Sequence, residues 1–157
     1  MKILVFSDSH GAYHKMKKAA DLHPDSDMII FLGDGLYDAD TLFEEKKTIA
    51  CVGVKGNCDL VSAYGANTYL DEQTVDIGQT RIFCTHGHKY HAKSTLMNLL
   101  YRAQEKEAQL CLYGHTHIAL ESVFDEVRLF NPGSVRNGEY GIIYIENAAV
   151  CTSHAKL

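Results

Sequence analysis

Five short apolar runs in this chain stop on the same kinds of polar residue, and that repetition limits what the chain can fold into. Ile3–Ser7 runs into Asp8-Ser9-His10, Met28–Leu32 into Gly33-Asp34, and Ile49–Val54 into Gly56-Asn57-Cys58-Asp59. Thr80–Cys84 runs into Thr85-His86-Gly87-His88, and Leu110–Tyr113 into Gly114-His115-Thr116-His117. Short, continuous, β-rich apolar runs are the pattern of strands covered on both faces. Between the first three runs the spacing predicts helices. Residues 12–22 carry Ala12, Met16, Ala19, Ala20 and Leu22 at helical intervals with lysines between, and Pro24 ends the segment. Residues 38–47 predict a short helix closing on Lys46 and Lys47, with Asp38 and Asp40 placed to begin or cap it. The order strand, helix, strand, helix, strand predicts parallel crossovers.

The second half reads differently. Residues 60–72 are irregular. Gln73–Ile77 and Thr80–Cys84 flank Gly78-Gln79, a two-residue hairpin turn. Residues 92–107 give the clearest helix, striped by Leu96, Leu99, Leu100 and Ala103. Leu120–Phe124, Val127–Phe130, Gly141–Ile145 and Ala148–Thr152 are short, turn-separated strands of antiparallel type. No repeat, low-complexity segment or linker interrupts the chain. The expectation is one α/β domain over residues 1–157: two packed sheets with helices outside.

Composition excludes several classes. Of the 157 residues, 46% are hydrophobic and 22% charged, ordinary for a globular protein. The net charge of −5 and the lack of a basic run disfavour nucleic acid and anionic membrane as partners. The apolar start is too short for a signal-peptide core, and no apolar stretch reaches the about 18 residues of a membrane span. A cytoplasmic protein is expected. The five cysteines form no C-x-x-C pair. Four lie inside apolar runs and read as small buried hydrophobes; Cys58 sits in a polar turn.

Asp8, His10, Asp34, Asn57, His86, His115 and His117 each follow a predicted strand. Ligands of open α/β sheets bind outside the carboxyl ends of strands, so parallel neighbours would bring these residues to one crevice. The direction of the strand before His86 is assumed in that argument. Carboxylate plus imidazole suits zinc, iron, manganese or nickel, and no thiolate pair marks a structural zinc site. Seven donors are too many for one four-coordinate ion. If one carboxylate bridges, two ions receive four protein donors each. Two ions about 3.5–4 Å apart would polarise a phosphoryl oxygen and make a shared water acidic. The i, i+2 spacing of Asp8 with His10 and of His115 with His117 puts each pair on one side of an extended chain.

In this order, D-x-H, G-D, G-N-x-D, H and G-H-x-H, followed by Asn131-Pro132-Gly133-Ser134, resemble the calcineurin-like metallophosphoesterases. The Gly-Asn-Cys-Asp form is similar to the compact, YfcE-type phosphodiesterase branch. The motifs cover residues 8 to 134. The resemblance implies a four-layered α-β-β-α sandwich with two mixed sheets and flanking helices. It implies one ion on Asp8, His10, Asp34 and His117, and a second on Asp34, Asn57, His86 and His115, with Asp34 bridging. It further implies a small phosphoester substrate attacked in line by a metal-bound hydroxide. Manganese or nickel is typical of this branch, and iron and zinc occur elsewhere in the family. Some relatives are instead protein-interaction scaffolds, one of them in a membrane-coat complex; a scaffold need not keep all seven ligands.

Cys58 departs from the pattern. Many relatives carry a histidine there, assisting as general acid or phosphate contact. A thiol, with an ordinary pKa near ~8.5, is a poor substitute. His88, two residues from His86, is the candidate to share that role, worth ~10²–10⁴-fold in rate. Asp59 is either a turn residue or an acceptor orienting a ligand histidine. Asn131 to Ser134 reads as a tight turn, with a Ser134 contact to the site as the alternative. Arg136 reads as solvated, and His14, His23, His91 and His154 as surface residues. Tyr37, Tyr64 and Tyr90 either line the mouth of the site or pack in the core. The apolar edges near residues 120–130 would suit a second copy, which leaves a homodimer open.

Overall fold

The computed structural model describes residues 1–59 and 69–157; most of the segment expected to be irregular, Tyr64 included, lies outside them. The first half alternates as expected: β1 (Lys2–Phe6), α1 (Tyr13–Asp21), β2 (Met28–Phe31), α2 (Leu36–Glu45) and β3 (Ala50–Gly53). The three strands are parallel neighbours, with Ile3 opposite Met28 and Met28 opposite Ala50. The hairpin β4 (Glu72–Ile77) and β5 (Thr80–Thr85) follows, then α3 (Met97–Glu105), β6 (Leu110–Leu112), β7 (Ala119–Phe124) and β8 (Val127–Pro132). The chain closes with β9 (Glu139–Glu146) and β10 (Ala149–Lys156).

These strands form two mixed five-stranded sheets, ordered β10-β9-β1-β2-β3 and β4-β5-β6-β8-β7. The hairpins supply the antiparallel pairs. In the second sheet β5, β6 and β8 run parallel, which settles the direction assumed for β5. The sheets pack face to face, and alternation along each strand divides the side chains between layers. Ile3, Val5, Ile30 and Leu32 meet Ile82, Leu110, Leu112 and Phe130 between the sheets. Leu4, Phe6, Ile29 and Phe31 point the other way, under α1 and α2. Phe83, Cys111, Tyr113 and Leu129 are covered by α3. Both faces of the central strands are therefore buried, which is why they read as unbroken apolar runs. The arrangement is the expected α-β-β-α sandwich, with three helices flanking the two sheets. No described helix is long and apolar enough to cross a membrane.

One close approach fixes the inter-layer distance near β9. A Cβ on Gly141 would lie 2.5 Å from the Phe130 ring, so only glycine leaves room for that ring between the sheets. The same ring stacks on His154 with centroids 4.5 Å apart.

Several local expectations are corrected. Residues 92–96 are not helical. A 3-10 turn at His88–Tyr90 leads into His91 at φ +55, and the Ser94 and Thr95 amides bond back to the His91 carbonyl. Helix α2 begins at Leu36 and ends at Glu45, and neither Asp38 nor Asp40 caps it. Asp38 is buried and accepts from the Ser9 hydroxyl at 2.6 Å and the Gly11 amide at 2.9 Å. Asp40 accepts from Tyr69. Only Cys84 and Cys111 are core cysteines; Cys51 is half-buried and Cys151 exposed. Cys151 lies on β10, the edge strand of its sheet, so its apolar neighbours in sequence do not imply burial.

Candidate metal centre

The strand ends converge. Asp8 follows β1, Asp34 follows β2, Asn57 follows β3, His86 follows β5, and His115 and His117 follow β6. Asp8 Oδ1 faces three imidazoles: His117 Nε2 at 3.1 Å, His10 Nε2 at 3.8 Å and His86 Nε2 at 3.9 Å. Asp34 Oδ2 faces His86 Nε2 at 3.4 Å and His10 Nε2 at 3.9 Å. His10 and His117 bring their Nε2 atoms within 3.3 Å of each other. Asn57 Oδ1 lies 3.2 Å from His86 Nε2, and the rings of His86 and His115 are 5.1 Å apart. All seven candidates are thus drawn together. Their donor atoms form two compact sets, Asp8 with His10 and His117, and Asp34 with His86 and His115, each within 4.8 Å. Asp34 Oδ2 reaches a histidine of each set.

The donor chemistry fits divalent ions. Asp8 is fully buried, and its Oδ1 has no hydrogen-bond partner. Leaving a carboxylate oxygen buried and unpaired is costly, and a cation among these imidazoles removes that cost. The other oxygen is occupied: Asp8 Oδ2 accepts from the Ser7 hydroxyl at 2.6 Å and the His115 amide at 3.0 Å. Asp34 divides in the same way. Its Oδ1 accepts the Cys58 amide at 2.8 Å, leaving Oδ2 to the histidines. His86 Nδ1 lies 2.7 Å from the Leu32 carbonyl. A carbonyl only accepts, so Nδ1 carries the proton and Nε2 offers its lone pair inward.

The protonation tendencies follow from the same contacts. Burial alone would raise the Asp34 carboxyl, but His86 and the Cys58 amide hold it well below the usual carboxylate range. Burial works against charge on His86, while Asp34, Asp8 and the Leu32 carbonyl raise its pKa. Burial, then the charges of His86 and Lys93, push His115 down to about 4. Burial and Asp34 push the Cys58 thiol up. His88 is lowered by burial and by His86.

The backbone corrects one step of the sequence argument. Asp8, His10, Asp34, His115 and His117 all have positive φ, between 44° and 67°. The pairs converge through left-handed turns, not along extended chain. Such conformations cost on the order of 1–3 kcal/mol each for residues with a Cβ, so the surrounding contacts must hold them. Asp59 supplies part of that hold. Its carboxylate accepts the amides of Asp34, Gly35, Leu36 and Gly56 at 2.8–3.0 Å. It therefore orients backbone at two loops and the start of α2, and no ligand histidine. Gly114 is required for a different reason: a Cβ there would fall 1.9 Å from the Ser7 hydroxyl.

Three supporting residues escaped the sequence argument or were underweighted in it. Ser7 holds Asp8, as above. Ser134 donates to the Asp8 carbonyl at 2.8 Å, so the alternative of a contact with the site is the one realised. Asn131 donates to the Gly114 carbonyl at 2.9 Å and lies 3.0 Å from the Thr116 hydroxyl. The signal for the last two was present: Asn131 lies near the end of β8 and Ser134 just beyond it, and β8 is the parallel neighbour of β6. Cys58 is exposed, with its sulfur 3.3 Å from the Asn57 amide nitrogen. His88 sets its ring 5.4 Å from that of His86 and 6.1 Å from that of His115, and its Nδ1 is buried without a partner. Tyr37 is 70% exposed, and Tyr90 is turned to Glu72. His23 bonds Tyr140 at 3.0 Å and His154 the Asn131 carbonyl at 2.8 Å; neither stands among the seven.

Comparison with known proteins bears on this geometry. The family model described as the calcineurin-like phosphoesterase superfamily domain matches residues 1–148. The chain is 35% identical over 156 residues to a probable metallophosphoesterase, YsnB, of Bacillus subtilis strain 168, covering 95% of this chain and 87% of that one. It is 28% identical over 160 residues to the phosphodiesterase YfcE of Escherichia coli K12, covering 86% of this chain and 79% of that one. Among solved structures, a conserved uncharacterized protein from Streptococcus pneumoniae TIGR4, titled a predicted phosphoesterase, superposes with a TM-score of 0.81 at 29% identity. That match covers 99% of this chain and 88% of that chain. Sequence motifs, fold and converged donors agree with these matches: the chain belongs to the calcineurin-like phosphoesterase superfamily.

Proposed function

We propose that this chain is a metal-dependent phosphodiesterase working through two divalent ions, as one domain over residues 1–157 and in the cytoplasm. The observation that carries the reading is the buried, unpartnered Asp8 Oδ1 facing three imidazoles, beside an Asp34 oxygen that faces two. Asp8, His10 and His117 would hold one ion, and Asn57, His86 and His115 the other, with Asp34 shared between them. Manganese is the ion we favour, with nickel, iron and zinc as alternatives. Ions held there would polarise a phosphoryl oxygen and supply a nucleophile from water. The similarity to YfcE, named a phosphodiesterase, supports a small diester as substrate.

The protein's own groups then have separate tasks. Asp34 stays anionic and joins the two sets. Asn57 turns Oδ1 toward His86 and Nδ2 toward the Cys58 sulfur. His88, whose pKa is lowered by burial and by His86, offers the leaving oxygen a hydrogen bond from its ring N–H. Cys58, its thiol pushed up by burial and Asp34, stays protonated and is a weaker donor on the His10 and Asp34 side of the site. Substrates with good leaving groups, which need little proton assistance, are accordingly preferred.

The test is hydrolysis of bis-p-nitrophenyl phosphate and p-nitrophenyl phosphate with and without Mn²⁺. The expected result is Mn²⁺-dependent turnover, faster on the diester and abolished by Asp34→Ala. Folded protein that turns over neither compound with any of the four metals would instead support the interaction-scaffold reading. For His88, an alanine variant with unchanged kcat and pH profile would remove it from the mechanism.

A further inference from the structure

Neither set of four donors uses Cys58, yet its sulfur belongs to a third group of ligand-type atoms. The sulfur, a His10 ring nitrogen and an Asp34 carboxylate oxygen all lie within 4.8 Å of one another. Donors sharing a tetrahedral ion at bond lengths of about 2.0–2.3 Å stand about 3.3–3.8 Å apart, so small side-chain rotations bring the three onto one ion. The structure permits those rotations. The Cys58 amide is pinned to Asp34 Oδ1 at 2.8 Å, which keeps the residue beside Asp34, while its exposed side chain can turn at the cost of one weak contact from the Asn57 side-chain amide at 3.3 Å. A separate observation points to a cation at the same place. Asp8 Oδ1, fully buried and without a hydrogen-bond partner, faces His10 Nε2 at 3.8 Å.

Ligand softness decides when the sulfur takes part. Thiolate selects soft and borderline ions, whereas manganese prefers carboxylate, carbonyl and water oxygens. We propose that Cys58 is a conditional ligand of the ion held by His10 and Asp34, bound by Zn²⁺, Co²⁺ or Cd²⁺ and left as a free thiol by Mn²⁺. As the sulfur donates a lone pair to the ion, the S–H proton passes to solvent water, and no electrons are transferred. A further protein donor closes a coordination position that a phosphoester needs; open positions distinguish catalytic from structural sites. Soft ions would therefore be held tightly with little turnover, and Mn²⁺ less tightly in an open, working centre. The turn at Cys58 thus sets which metal activates the protein.

This proposal rests on the two-ion reading, and cobalt separates the two. Co²⁺ bound by histidine and carboxylate gives visible ligand-field bands, and only a cobalt–sulfur bond adds a near-ultraviolet charge-transfer band. Both signals are expected in the Co²⁺-loaded wild type. Cys58→Ser and Cys58→Ala should keep the ligand-field bands and lose the charge-transfer band. Their Cd²⁺ affinity should fall by about tenfold or more, the scale even outer-sphere partners reach, with Mn²⁺ affinity unchanged. A wild type with ligand-field bands and no charge-transfer band would overturn the proposal alone. So would a band surviving in both variants, which would assign the sulfur to another cysteine such as Cys151. Folded wild type with no ligand-field bands at all would overturn the two-ion reading as well.

Discussion

Asn131 and Gly114 are joined side chain to backbone: the buried Asn131 amide donates to the Gly114 carbonyl at 2.9 Å. The same nitrogen lies 3.0 Å from the Thr116 hydroxyl, and Asn131 Oδ1 accepts the Gly133 amide at 2.9 Å. One side chain thus fixes the turn that carries His115 and His117. Replacing it with alanine leaves the Gly133 amide without its acceptor, at about 1–3 kcal/mol, removes one of the two donors to the Gly114 carbonyl, and releases two strained histidines. Asn131→Ala should lower Mn²⁺ affinity about 10–100-fold, read by calorimetric titration, and depress the melting temperature. An unchanged titration would show that the turn holds without it.

Metal removal should be visible in stability. A ligand that binds only the folded state adds about 2.7 kcal/mol at a free concentration of 100 times its Kd. Mn²⁺ should therefore raise the melting temperature of chelator-treated protein, and the increment should vanish in Asp8→Ala. That variant also removes the unpartnered Oδ1, so its ion-free form should be no less stable than ion-free wild type on that account. A thermal shift that survives Asp8→Ala would place the stabilising ion elsewhere.

The pair Glu72 and Arg102 ties β4 to α3, with Oε1 2.5 Å from Nη2, and Tyr90 donates to the other oxygen. Burial pushes the Glu72 carboxyl up, but Arg102, Tyr90 and Lys106 outweigh it and hold it below the ordinary value of 4.5. The folded state therefore takes up this proton less readily than the unfolded chain. Its contribution is complete above pH 4.5 and is lost as pH falls through the folded value. Glu72→Gln should cost about 1 kcal/mol at pH 7, and the difference should shrink in acid. Urea denaturation across pH 3–7 checks the sign.

Gly141→Ala tests the inter-sheet fit. Its Cβ would meet Phe130 at 2.5 Å and Pro132 at 3.4 Å, so the aromatic ring must move within a packed layer. Overpacking of this kind costs about 1–3 kcal/mol. Urea midpoints should fall with an unchanged m-value; an unshifted midpoint would mean the sheets part easily at β9.

What the sequence discloses depends on how local the physics is. The runs Ile3–Ser7 and Met28–Leu32 announce strands because both of their faces are buried, and His86 and His115 are found because ligands collect at strand ends. Residues 92–96 mislead because Leu96 continues the apolar stripe of α3, while the left-handed His91 that reverses the chain leaves no pattern. Asp38 and Asp59 look like ordinary loop acids. Their partners, Ser9 and Gly11 for one and Gly35 and Leu36 for the other, are distant in the chain and adjacent only once the crossovers form. The positive φ of Asp8 or His117 is invisible for the same reason: tertiary contacts impose it against local preference. Ser134 reaches Asp8 across 126 positions, a separation no motif spans.

The donors hang from different sheets. Asp8, His10, Asp34 and Asn57 belong to the β1-β2-β3 side, and His86, His115 and His117 to the β5-β6 side. An ion gripped by both is therefore a rivet through the seam of the sandwich. Pulling the layers apart would then mean tearing out the ion first, so a metal held there would set a mechanical and kinetic threshold for unfolding as well as a site for chemistry. On the proposed reading, a substitution of one of these donors that altered the reaction would also loosen the joint.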